Sequence, residues 1–210
     1  MKQIIEIPES INDIQLWRWQ KYMSIVKEDS DNEFVNRKAL EIYYGIEGRH
    51  YDSLKVKDIE HIMKGLVDAL GQKPTLVRRF VLSDVEYGFI PNLDDITFGE
   101  FVDLDKYNNT KDFHKLMSIL YRPIKKTKRD KYKIEPYNGS NERLAGMSLG
   151  IAQSAAAFFF DIGLQLTRNI LKSSKVGAIH QKKKLGLALN GIGFLLSTPY
   201  QMEIFLNSKK

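Results

Sequence analysis

The chain has 210 residues, 43% of them hydrophobic and 28% charged, which is too apolar for a disordered polymer and sized for one domain or one with a small appendage. Without cysteine it can form no disulfide framework, cysteine-ligated zinc or iron–sulfur centre, or thiol nucleophile, and that composition fits a reducing compartment. The formal net charge of +6 conceals an asymmetry: residues 1–120 carry 16 Lys/Arg against 21 Asp/Glu, net −5, while residues 121–210 carry 16 against 5, net +11. Oppositely charged parts of one chain face different surroundings, or each other.

The first residues, Met1 to Pro8, are no secretory signal, because the apolar run is short and Glu6 interrupts it. Lys2, Ile4 or Ile5, and Ile7 read as a short strand stopped by Pro8. Ser10 then caps a predicted helix over residues 11–27, with Ile11, Ile14, Trp17, Met23 and Val26 near helical spacing. Asp31 opens a second helix to about Gly45, buried through Phe34, Val35, Ala39, Ile42 and Tyr43. A third runs from about Lys57 to Leu70, with Gly71 placed to end it and Pro74 beyond.

The period changes in the middle. Residues 79–82 and 86–90 are short and β-rich around Ser83-Asp84-Val85, which predicts a hairpin. Thr97-Phe-Gly-Glu100 matches a capping box for a short helix to about Tyr107, and another helix runs from Asp112 to Tyr121 ahead of Pro123. Residues 125–133 hold six basic side chains among nine and read as a loop between two extended segments. From Asn141 a long helix to about Leu171 is predicted, charge-free over residues 144–160. Lys172 to Lys184 is a basic connection, and a last helix ends near Leu196 ahead of Pro199. The expected class is α+β and mostly helical: a helical core with a small irregular antiparallel β element in the middle of the chain. The N-terminal helices are expected to pack with the C-terminal pair around a common core. The chain reads as one domain over 1–210, with a subdivision into an acidic body at 1–140 and a basic, apolar helical pair at 141–210.

Reaction chemistry finds little support. His50, His61, His114 and His180 form no HExxH or dense ligand cluster, and His61 and His114 read as helix-surface residues. Seven carboxylates, Asp84, Glu86, Asp94, Asp95, Glu100, Asp103 and Asp105, lie within 22 positions, the best candidates for a hard cation. Their order is not that of an EF-hand, and a solvated acidic face or one docking on a basic partner accounts for them better. Gly191-Ile-Gly193 lacks the setting of a dinucleotide loop, and no phosphate-cradling GxxxxGK[ST] is present. No catalytic residue, metal ligand or cofactor is therefore assigned.

Two features point to binding. Lys125, Lys126, Lys128, Arg129, Lys131 and Lys133 could neutralise phosphates or an acidic partner, with Tyr132 available to stack on a base. Gly146 and Gly150 have the GxxxG spacing of close helix approach, and Phe158, Phe159 and Phe160 extend an apolar run suited to helix packing or a subunit interface. The apolar C-terminal segments and their lysine flanks also raise a membrane hairpin. Gln153, Asp161, Gln165, Asn190 and Pro199, with a charge-free stretch of 17 residues, favour helices buried in protein.

Ile96-Thr-Phe-Gly-Glu-Phe-Val-Asp-Leu-Asp105, then His114-Lys-Leu-Met-Ser-Ile-Leu-Tyr-Arg-Pro-Ile124 and Tyr132-Lys-Ile-Glu-Pro-Tyr-Asn-Gly139, give the chain a resemblance over about residues 80–165. In these motifs it resembles small proteins encoded among the virion-structure and tail-assembly genes of tailed bacteriophages, particularly crAss-like and other Bacteroidetes phages. The resemblance implies a virion component or assembly chaperone, not an enzyme, located in the virion or in the host cytoplasm during assembly. Its implied partners are other phage structural proteins and further copies of the chain. A nucleic-acid-binding accessory protein using residues 125–133 is the alternative, followed by a membrane-associated protein with a C-terminal helical hairpin.

Overall fold

The computed structural model describes residues 5–27, 30–92, 96–129, 131–159 and 161. The expected class holds: a mostly helical α+β fold with a four-stranded antiparallel sheet from the middle of the chain. Ser10 caps as expected, its hydroxyl accepting from Asn12 N–H at 3.1 Å while Asp13 accepts from Ser10 N–H at 2.9 Å. That cap starts only a single 3-10 turn, Ile11–Asp13, and helix α1 is Leu16–Ile25. The continuous helix expected over 11–27 is broken because residues 14–16 pair with a distant segment. Leu16 N–H donates to Met147 O at 2.8 Å, and Leu149 N–H donates to Ile14 O at 2.7 Å.

Of the expected N-terminal strand, residues 5–8 join no strand and residues 1–4 lie outside the described residues. Ile7 instead lies against Gly65 of α4 (Val56–Leu70), so closely that a Cβ there would collide with it. Helix α2 (Asn32–Tyr44) starts at Asp31, whose carboxylate accepts from Phe34 N–H at 2.7 Å. It stops at Gly45, whose φ of 69° lies in the left-handed region that glycine adopts without steric cost. A short α3 (Arg49–Asp52) precedes α4.

Strands β1 (Arg79–Leu82) and β2 (Val85–Phe89) form the expected hairpin, closed by two residues, with Ser83 and Asp84 at φ of 48° and 62°. Positive φ at both positions matches the twist of the flanking strands. Helix α5 (Phe98–Lys106) and helix α6 (Phe113–Leu120) follow, and α6 runs directly into β3 (Tyr121–Lys128), paired with β4 (Lys131–Ile134). The sheet order is β1-β2-β3-β4.

The register sorts the sheet into two faces, because side chains alternate. Phe80 opposes Tyr87, and Phe89 opposes Tyr121, so these rings share the inner face. They pack edge-on or stacked at centroid distances of 5.1–5.4 Å. The same buried cluster takes in Leu16 and Trp19 of α1, Leu40 of α2, Leu66 of α4 and Phe113 of α6. After a 3-10 turn, Glu142–Gly146, helix α7 begins at residue 149 and is described to residue 159. Its Leu149, Ala152, Ala155 and Ala156 enter that core, so this part of the apolar C-terminal segment packs with the N-terminal helices. The single long helix expected from Asn141 is interrupted at Met147 and Ser148, where the backbone pairs with residues 14–16. The expected helix near 185–196 lies outside the described residues.

Candidate functional site

Helix α5 carries the first candidate surface. The capping box read from the sequence is present: Thr97 Oγ1 accepts from Glu100 N–H at 3.3 Å, and Glu100 Oε2 accepts from Thr97 N–H at 2.6 Å. Helical spacing of three and four residues then turns Glu100 and Leu104 inward and leaves Phe98, Phe101 and Val102 outward. Phe98 is 82% exposed, Val102 47% and Phe101 39%. Positions i, i+3 and i+4 form one stripe, so this is an apolar helix face without a partner among the described residues.

Glu100 belongs to the expected acidic face, yet it is buried. Its Oε1 accepts from Arg122 Nη1 of β3 at 2.8 Å, tying the first turn of α5 to the sheet. Asp103 is also committed, accepting from the Tyr137 hydroxyl at 2.8 Å. Burial, and secondarily the Asp103 carboxylate, hold that hydroxyl above the usual tyrosine range. A groove of about 540 Å³ runs beside these contacts, walled by Phe98 and Val102 on α5 and by Pro136 and Tyr137 opposite. The acidic run is thus partly structural; Asp94 and Asp95 lie outside the described residues. Among the described residues no group of three His, Asp or Glu side chains is arranged to hold a metal ion.

The basic stretch forms the second surface, and it is not a loop. Lys125, Lys126 and Lys128 lie in β3, Lys131 and Lys133 in β4, and Arg129 sits in the turn at a φ of 55°. The expected loop becomes hairpin arms because Thr127 pairs with Tyr132 and Ile124 with Ile134, giving the strands an anchored edge. Tyr132 does not serve as a stacking platform: its ring covers Gly88, its hydroxyl donates to Phe89 O at 2.6 Å, and Arg79 lies 4.6 Å from its centroid.

The glycine pair divides. Gly150 lies in α7 against Ile11 and the Asn12 side chain, so closely that a Cβ would collide with both. Gly146 ends the preceding 3-10 turn, and the nearest atom to a Cβ there would be Leu82 Cδ1 at 3.9 Å. The GxxxG spacing therefore does not form one helix face; only its second glycine mediates close approach. Phe158 packs edge-on against Phe89 at 5.6 Å, and Phe159 is half-buried against the same core, while Phe160 lies outside the described residues.

One polar node escaped sequence reading altogether. His114 Nε2 lies 2.8 Å from Glu142 Oε2, and its Nδ1 lies 3.2 Å from Gln20 Oε1, joining α6 to α1 and to the 3-10 turn before α7. Gln20 is nearly buried and donates to Thr110 O and Lys111 O, both at 2.7 Å. Its three partners lie 90 or more positions away, so no local spacing could signal it.

These elements define a mostly helical α+β protein with an exposed apolar helix face and a basic β-hairpin. No protein-family model, curated protein or solved structure matches the chain. No helix among the described residues is long and apolar enough to cross a membrane.

Proposed function

We propose that the chain is a non-enzymatic structural or assembly protein of a tailed-phage virion, in its tail or neck, acting through protein–protein contacts. The observation that carries a contact role is the α5 stripe. Among the described residues Phe98, Phe101 and Val102 are exposed together, on a helix anchored by its capping box and by the Glu100–Arg122 pair. Covering a phenylalanine side chain contributes about 1.5–3 kcal/mol, so an apolar stripe of this kind favours association. The phage setting rests on the sequence resemblance over residues 80–165.

Mass spectrometry of purified virions tests the reading. Stoichiometric presence assigns a structural part. Absence from particles whose assembly nevertheless requires the protein assigns a chaperone. A protein absent from virions and dispensable for their assembly is neither.

A further inference from the structure

The β3–β4 hairpin has a feature that the apolar stripe leaves unused. Regular alternation would place Ile124, Lys126 and Lys128 on one face of β3. The register instead shifts between Ile124 and Lys126. The extra residue, Lys125, moves everything after it to the opposite face, as bulges do. Ile124 therefore shares a face with Tyr132 and Ile134, where Ile124 and Tyr132 close over Gly88. Lys126 and Lys128 turn to the other side, where they meet Lys133 and Lys131 directly across the ladder.

The result is a patch of four exposed lysines in two opposed like-charge pairs, flanked by exposed Lys125 and Arg129. Like charges directly opposite on a sheet are destabilising. No carboxylate among the described residues forms an ion pair with any of the four, so the cost is left uncompensated within them. Beyond Pro123, which lies on the same side, this stretch of the face presents only lysines, since Ile124, Tyr132 and Ile134 all lie behind it. Lysine is depleted from protein–protein interfaces, whose cores are apolar. A lysine-only stretch fits a ligand that supplies closely repeated negative charge and needs no apolar burial.

We infer that the lysine face of the β3–β4 hairpin, Lys126, Lys128, Lys131 and Lys133, is a contact for the phosphate backbone of nucleic acid. With Tyr132 locked behind the sheet, the contact reads charge and not bases. It is independent of sequence and strongly dependent on salt.

The test is fluorescence anisotropy of labelled oligonucleotides, single- and double-stranded and of several sequences, titrated with the full chain across a salt series. The variant replaces Lys126, Lys128, Lys131 and Lys133 by Gln. A charge-matched control replaces exposed Lys21, Lys55, Lys57 and Lys64 by Gln. The hairpin variant is expected to flatten the log–log salt slope by about 3 and to weaken low-salt binding by about tenfold or more. The control is expected to keep the wild-type slope, and so is a fourfold Lys→Arg hairpin variant.

Acetylation of the wild-type chain gives a readout that needs no substitution. Bound oligonucleotide should protect the four hairpin lysines more than the four control lysines. The inference is overturned by absence of wild-type binding at low salt, by equal loss in the control, or by equal protection of both lysine sets. Tighter binding of polyglutamate than of any oligonucleotide also overturns it and assigns the face to an acidic protein.

Discussion

Glu100 accepts from Arg122 at 2.8 Å with its Oε1 and from the Thr97 backbone at 2.6 Å with its Oε2. One carboxylate thus closes the capping box of α5 and fastens that helix to β3. A pair so deeply placed, with side-chain exposures of 3% and 12%, costs most when only one member is removed. Glu100→Gln should destabilise the fold by about 3 kcal/mol in urea denaturation. Adding Arg122→Met should recover part of that loss, because the unpaired guanidinium goes with it. Additive losses would show that the two side chains do not act as a pair.

The α5 stripe gives a prediction that separates contact from folding. Phe98→Ser with Phe101→Ser changes exposed positions, so the unfolding free energy should move by no more than about 0.5 kcal/mol per site. Incorporation into virions, or self-association followed by sedimentation velocity, should be lost. A folded variant that assembles normally would remove the stripe from the binding surface.

Gly146 and Gly150 should respond differently to the same added methyl group. Gly150→Ala pushes into Ile11 and Asn12 and should cost about 1–3 kcal/mol. Gly146→Ala meets nothing closer than Leu82 at 3.9 Å and should stay within about 0.5 kcal/mol. Thermal or denaturant unfolding of the two variants reads the difference directly.

Alkaline pH should unfold the protein through its buried phenols. Burial raises the ionisation of Tyr22, Tyr43, Tyr44 and Tyr121 above the ordinary value near 10. A folded-state value raised above the unfolded one means that stability is fully present below about pH 10 and falls as pH rises beyond it. Tyrosinate absorbance from these residues should therefore appear together with the loss of circular dichroism. Substantial ionisation before unfolding would contradict their burial.

The caps were legible in the sequence because they are local. Ser10, Asp31 and Thr97 each satisfy backbone donors within three positions, and all three are found in use. The amphipathic spacing of α2 was largely legible: Val35, Ala39, Ile42 and Tyr43 are buried as the helical period indicates, with Leu40 in the core instead of Phe34. The candidate surfaces were only half legible. Basic composition marked residues 125–133, but the facing of each lysine depends on a one-residue shift that composition does not encode. Nothing in the sequence marked Phe98, Phe101 and Val102 as exposed, because an apolar stripe reads as core until its neighbours are known.

By itself, then, the sequence determined the class of fold, the caps, most helix faces and the exclusion of thiol chemistry, all of which follow from nearby residues or from composition. Tertiary structure alone decided where the first and last described helices break, which glycine is crowded, which carboxylates are buried and which way the lysines point. The physical reason is separation along the chain. Leu16 meets Met147, His114 meets Glu142, and Glu100 meets Arg122 through distant partners that no local period announces.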